Sequence, residues 1–360
     1  MTSRITTEIR DEPEAIRATI VASRDHALEV AGTLLTQGVR RVYVIGNGTS
    51  YHSSLAAALV HRRHARVDDP LVFAMTAGEF RHYQPVLGQE DAVVGISASG
   101  EFRDVLAVTE SLRGRIPTVA IVHNPGSSLT GLADYVIMSA GGPSSVPVMT
   151  KTFASTLTAA ILFVAGLLPD DAGEAITGAL GTAAAAAEIT ITAAEPAVDA
   201  LAAELASARH IFVVGSGGGH VAALEGALKL KETALIHAEG AESWEMASGA
   251  ATLIDATSTV IALAPPGAGR EAVIELAKHC LRWGARVVEI APEPIIEGTD
   301  HLPISATATE DLASLDTLPP LVLLADAMAR ARGIDPDEPG WTERYRSQGL
   351  THVIGAGGRG

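Results

Sequence analysis

Val42-Tyr-Val-Ile-Gly-Asn-Gly-Thr-Ser50 is a short apolar run that ends in a Gly/Ser/Thr turn, and an Ala/Leu-rich helical stretch follows from about Ser53 to His61. Ile211-Phe-Val-Val-Gly-Ser-Gly-Gly-Gly219 repeats the pattern, with Gly215 standing 169 residues after Gly46. The next apolar runs keep nearly that offset: Ala92–Ser97 pairs with Thr259–Ala264, Thr118–Val122 with Arg286–Ile290, and Asp134–Met138 with His301–Ser305. Four strand cues in one order at one spacing indicate an internal duplication. Within each copy, apolar strands alternate with helical segments, which is the signature of a parallel sheet covered by helices on both faces. The expected fold is therefore α/β, two such domains in tandem.

The remaining segments fit around these copies. Residues 1–35 read as an N-terminal helical arm, 36–168 as the first domain and 169–207 as an Ala-rich helical connector. Residues 208–335 then make the second domain, and 336–360 a C-terminal tail whose Gly-rich last residues should fray. The apolar stretch Thr156–Leu168 is too short to span a bilayer and reads as a buried core helix, so no membrane partner is expected. The first residues lack the apolar core of a signal peptide. The single cysteine, Cys280, allows neither an intramolecular disulfide nor a Cys-rich metal site and suits the cytoplasm. A formal charge of −16 argues against nucleic acid, which needs a concentrated basic face. It does not bar a small anion, because local donors decide what a pocket binds.

Such donors are present in the first copy. Ligands of open parallel sheets bind beyond the carboxyl ends of strands, where helix N-termini offer free N–H groups. Gly46-Asn-Gly-Thr-Ser50 and Ser97-Ala-Ser-Gly-Glu101 occupy such positions, and Gly48, Thr49, Ser50, Ser97, Ser99 and Gly100 are the candidate phosphate-binding residues. The first loop lacks the third glycine and the later acidic residue of a dinucleotide site, so no nucleotide cofactor is expected. In the second copy Ser216-Gly-Gly-Gly219 has fewer hydroxyls, and Ala264-Pro-Pro-Gly267 has none. Only the first copy is equipped for an anion.

The second copy carries something different. Glu225, Lys229 and Glu232 fall within about 60° of one another on a helix otherwise rich in Ala and Leu. A solvated stripe of this kind gains only about 0.2–0.5 kcal/mol per ion pair. The apolar flanks point instead to a cleft or subunit interface.

Together these segments resemble the sugar isomerase (SIS) family, within it most closely the isomerase half of the glutamine-dependent glucosamine-6-phosphate synthases. The resemblance rests on Gly48–His52, Glu79-Phe-Arg81, Ser97–Glu101, Asn124–Leu129, Ala223–Glu232 and His237-Ala-Glu239, all in order. It implies two SIS domains, a homodimer, and a phosphosugar held between the Ser/Thr loops and the charged helix. It further implies Glu232 as the base moving a proton between C1 and C2, with Lys229 near the sugar oxygens and Glu225 beside it. No metal or cofactor is implied, and no glutaminase domain is expected. The enzyme class is then a phosphosugar isomerase, aminosugar-phosphate deaminase or fructosamine-phosphate deglycase. The alternatives are a non-catalytic phosphosugar sensor, or an enzyme for a sulfonated or unphosphorylated sugar.

The chain also departs from the family pattern. Ala98 and Phe102 replace two phosphate donors, and Gly141-Gly-Pro-Ser144 stands where the family has Ala-Gly-Pro-Glu. Ser248 occupies the position of the family's ring-opening histidine, and a serine cannot shuttle that proton near neutral pH. His52, His220 and His237 are the candidate substitutes. The tail's usual lysine has no secure counterpart, Arg344 and Arg346 being the nearest cations.

Overall fold

The computed structural model describes residues 2–347, the side chain of Arg346 excepted. Helices α1 (Arg4–Arg10) and α2 (Glu12–Thr36) come first. They lead into β1 (Arg41–Gly46), α3 (Thr49–His64), β2 (Leu71–Thr76), α4 (Ala77–His82), β3 (Asp91–Ile96), α5 (Arg103–Leu112), β4 (Thr118–Val122), β5 (Tyr135–Met138) and α6 (Lys151–Ala165). The 36-residue α7 (Asp170–Leu205) follows, then β6 (His210–Gly215), α8 (Gly218–Thr233), β7 (His237–Glu242), α9 (Ser243–Ser248), β8 (Thr259–Leu263), α10 (Arg270–Arg282), β9 (Arg286–Ala291) and β10 (Asp300–Pro303). Helices α11 (Ala313–Asp316), α12 (Pro319–Ala331) and α13 (Trp341–Ser347) complete the described chain.

Two compact units result. The first is built on Glu14–Ser145 and Lys151–Gly181; the second takes Val146–Thr150, Thr182–Pro339 and the N-terminal residues up to Pro13. The N-terminal stretch is thus not one arm: α1 packs with the second unit, and α2 from Glu14 onward with the first. The long α7 is divided in the same way at Gly181/Thr182.

Both units contain a five-stranded, wholly parallel sheet. Its order is β2-β1-β3-β4-β5 in the first unit and β7-β6-β8-β9-β10 in the second, the same topology twice. The duplication extends to single dihedral angles. Gly48 at the start of α3 has φ 54°, ψ −127°, and Gly217 at the start of α8 has φ 54°, ψ −126°. Positive φ at the strand-to-helix turn favours glycine at both positions. Inner strands β3, β4 and β8 are buried along their whole length, which is why they read as unbroken apolar runs. The sequence reading did not identify β2 and β7. Both are edge strands with partly exposed residues, and His237-Ala-Glu-Gly-Ala-Glu242 has no apolar pattern at all.

Helix α6 is buried over all fifteen residues, as a core helix of the first unit. Helix α7 is long and apolar enough to cross a bilayer by length and composition, and half of its most apolar window is buried inside the fold.

Candidate functional site

In the first unit the chain turns in opposite directions from β1, toward β2 on one side and β3 on the other. Such a reversal leaves a crevice at the carboxyl ends of the two central strands. The loops 46–50 and 97–101 both leave from that edge, on strands that are direct neighbours. Gly46 permits the first turn, because a Cβ there would lie 2.6 Å from the Ser50 backbone carbon. Gly48 is the N-cap of α3 and offers no side-chain acceptor to the helix N–H groups. Thr49 and Ser50 are buried in the first turn.

The second loop arranges its hydroxyls as donors. Ser97 Oγ accepts from Gly100 N–H at 3.1 Å, and Ser99 Oγ accepts from Glu101 N–H at 3.2 Å. With its oxygen so engaged, each hydroxyl keeps its hydrogen to donate. Gly100 has φ 67°, and a Cβ there would run into Ser127 Oγ, so this loop lies directly on the 124–128 turn. Glu101 fastens the two by accepting from Ser128 N–H at 2.7 Å. Ser127 Oγ is buried and has no hydrogen-bond partner among the described residues. An orphaned buried hydroxyl is costly unless a ligand or water meets it, which makes Ser127, within the Asn124–Leu129 segment, a further candidate donor. Phe102 is the N-cap of α5 and contributes no side-chain cap bond.

Helix α8 in the second unit is buried on nearly every side. A Cβ on Gly226 would run into Leu321 of α12, and one on Gly240 of β7 would lie 2.6 Å from the Ala223 carbonyl oxygen. Within this tight packing Lys229 Nζ lies 2.8 Å from Glu225 Oε1 and 3.1 Å from Glu232 Oε2. The three residues are not equivalent. Glu225 and Lys229 side chains are 0% and 1% exposed, whereas Glu232 is 30% exposed and alone reaches solvent. Burial by itself would lower the Lys229 pKa, but the two carboxylates outweigh it and hold the ammonium above the usual lysine range.

Two more carboxyls join this cluster from the N-terminal helices. Glu8 and Glu12 are both buried, and Glu8 accepts from Thr150 Oγ1 at 2.9 Å. Burial pushes the Glu12 pKa up to about 8; Lys229 opposes the shift, and Glu8 and Glu225 add to it. Its protonated form is therefore favoured by folding. That contribution is full below pH 4.5 and is lost as pH rises through about 8. Glu12→Gln, neutral throughout, is expected to flatten the stability profile between those limits, as read by urea unfolding at a series of pH values. A wild-type slope retained in the variant would remove Glu12 from this role.

The accessory residues are placed less favourably. His52 lies half-buried in α3 with its ring 6.2 Å from that of Tyr51, and His220 is the third residue of α8. His237 opens β7 and pairs in register with His210, the first residue of β6, at the end of the sheet away from the carboxyl edge. Ser248 is exposed, and its hydroxyl donates to Trp244 O at 2.7 Å within α9. Arg346 falls on α13, but its side chain lies outside the described residues, as do the tail residues after 347. Among the described residues, no three His, Cys, Asp or Glu side chains group as metal ligands.

Comparison with known proteins bears on the family and the fold. The model of the SIS domain family matches residues 36–165 and again 204–331. The chain is 33% identical over 349 residues to glutamine–fructose-6-phosphate aminotransferase (isomerizing) of Gloeobacter violaceus, covering 92% of this chain and 56% of that protein. With the protein of the same name from Methanothermobacter thermautotrophicus it shares 31% identity over 337 residues, covering 92% and 55%. The chain thus spans about half the length of the curated relatives it matches. Its fold is similar to the C-terminal domain of glucosamine-fructose-6-phosphate aminotransferase from Francisella tularensis, with a TM-score of 0.86, 24% identity, and coverage of 94% of this chain and 99% of that one.

Proposed function

This chain belongs to the SIS domain family, and we propose that it is a phosphosugar enzyme that moves a proton between C1 and C2 of its substrate with Glu232 as the base. The observation that carries this reading is the unequal exposure of the charged cluster. Lys229 is buried and held cationic by buried Glu225, while Glu232 alone is partly exposed to meet a substrate. Aldose/ketose interconversion needs such a carboxylate over adjacent carbons and a fixed positive charge to stabilise the enediolate oxygens. Glu225 and Lys229 are then both positioning residues, since neither side chain reaches solvent, and the Lys229 charge acts on Glu232 directly and on the developing enediolate only through space.

The phosphate falls to the first unit's loops, through Thr49, Ser50, Ser97 and Ser99, with Ser127 as a further donor. A hydrogen bond to a charged group contributes about 1.5–3 kcal/mol. Ser50→Ala and Ser99→Ala are accordingly expected to weaken glucosamine 6-phosphate binding by about tenfold or more each in calorimetric titration. Unchanged affinity in both would detach the phosphate from these loops. The reduced donor set at Ala98 and Phe102 favours, as the second reading, a different anion such as a sulfonate; the same titration with a sulfonated sugar separates the two.

The reaction itself is tested in deuterated water with fructose 6-phosphate, glucosamine 6-phosphate and a fructosamine 6-phosphate, following C1 and C2 by NMR. Deuterium incorporation identifies both the substrate and the proton transfer. No incorporation into any of the three, with binding intact, would replace the enzyme by a phosphosugar sensor.

A further inference from the structure

The second unit repeats the strand-to-helix turn of the first, including its positive-φ glycine, yet glycines stand where the first has Thr49 and Ser50, and Ser216 is its one remaining hydroxyl. What lies against that turn is a carboxylate of the same chain. Gly269 N–H donates to both Glu310 Oε1 and Glu310 Oε2, at 3.2 Å each. Four glycines make the room. A Cβ on Gly217 would lie 2.5 Å from Glu310 Oε1 and one on Gly269 2.6 Å from the same oxygen, while at Gly267 and Gly218 it would run into the Glu310 side chain and carbonyl oxygen. Glu310 is 6% exposed, and its backbone N–H is tied to Pro266 O at 3.0 Å. Gly217 is the N-cap of the sixteen-residue α8 and supplies no cap bond, so the helix start presents its positive end toward this position. Ser216 does not take part: its hydroxyl is engaged with Glu242 and Ser243.

We infer that Glu310 is the resident anion of a duplicate phosphate cradle, and that its carboxylate keeps the second unit's cradle closed to phosphate. The two copies have diverged in opposite directions around the same turn. At the 167-residue offset that aligns Asp134 with His301, Glu310 falls on Pro143, and the stretch Gly141-Gly-Pro-Ser144 contains no acidic residue. The first copy kept the hydroxyls and carries no such carboxylate there. The second copy lost the hydroxyls to Ala264-Pro-Pro and supplies its own anion. A helix start and a backbone N–H do not distinguish a carboxylate from a phosphate oxygen, so the same donors serve either. This inference stands on the second unit alone and is independent of the reaction proposed above.

The test is phosphate stoichiometry. Glu310→Ala empties the cradle, Glu310→Gln keeps it filled without the charge, and both are compared with the wild type by equilibrium dialysis against inorganic phosphate. Glu310→Ala is expected to bind one more phosphate per chain than the wild type, and to melt at a lower temperature than the wild type in chloride, with phosphate narrowing the gap. Glu310→Gln should melt lower too, but bind no extra phosphate. A folded Glu310→Ala protein with the wild-type phosphate count overturns the inference. If Glu310→Ala is insoluble in chloride, recovery of folded protein from phosphate buffer supports it, and insolubility in both buffers overturns it.

Discussion

Lys229→Met is expected to destabilise the second unit by about 3–5 kcal/mol, the usual consequence of removing one partner from a buried ion pair. The reason lies in what the substitution leaves behind. Glu225 is fully buried, and Lys229 is the cation 2.8 Å from it. Glu12 and Glu8 lie within the same electrostatic neighbourhood, so loss of the ammonium leaves carboxyls facing carboxyls. A packing effect is small by comparison, since methionine fills most of the space of the lysine stem. The double variant Lys229→Met, Glu225→Gln separates charge from packing. Replacing both members of a buried pair by neutral side chains of similar size is often close to neutral, so much of the loss should return. Urea denaturation of the two single variants and the double variant measures the coupling. A double variant as unstable as the sum of the singles would show that the pair is not the cause.

Glu232→Gln is expected to lower turnover by about 10²–10⁴-fold, the range for removal of a general acid or base. Its effect on stability should be modest, because Glu232 is the partly exposed member of the cluster and its loss strands no buried carboxylate. Lys229 retains Glu225 in the variant. Phosphosugar affinity should also change little, since the phosphate is assigned to the Ser/Thr loops. The signature is thus a fall in kcat with KM nearly constant, which marks an interaction made mainly in the transition state. An equal loss in kcat/KM through KM alone would make Glu232 a binding residue.

Much of this architecture is legible in the amino-acid sequence, for identifiable reasons. Inner parallel strands such as Val93–Ile96 and Thr118–Val122 are buried on both faces and must be apolar throughout, so they stand out and their repetition reveals the duplicated fold. Edge strands have only one neighbour and tolerate polar residues, and β7 accordingly escaped notice. Glu225, Lys229 and Glu232 were readable because they lie within two turns of one helix. Glu12 was not: it belongs to a different part of the chain from α8, and only tertiary packing brings it under the influence of Lys229. Glu310 is similar, since nothing local distinguishes it from any surface glutamate until Gly217, Gly267 and Gly269 are seen around its carboxylate. Ser127 occupies an intermediate position. Its segment was recognised, but its orphaned hydroxyl depends on how Gly100 sits against it.

Ser248, which the resemblance sets at the position of the family's ring-opening histidine, has a defined structural setting. The Ser248 hydroxyl is committed to the Trp244 carbonyl within α9. The chemistry assigned to this chain rests on Glu232 as the base, and the same variant provides the most direct test. Solvent deuterium incorporation at C1 and C2 of the accepted phosphosugar should be measured side by side for the wild type and Glu232→Gln, at saturating substrate. Exchange by the wild type, reduced at least about a hundredfold in the variant, is the predicted result; equal exchange by the two proteins would contradict the assignment of Glu232 as the base.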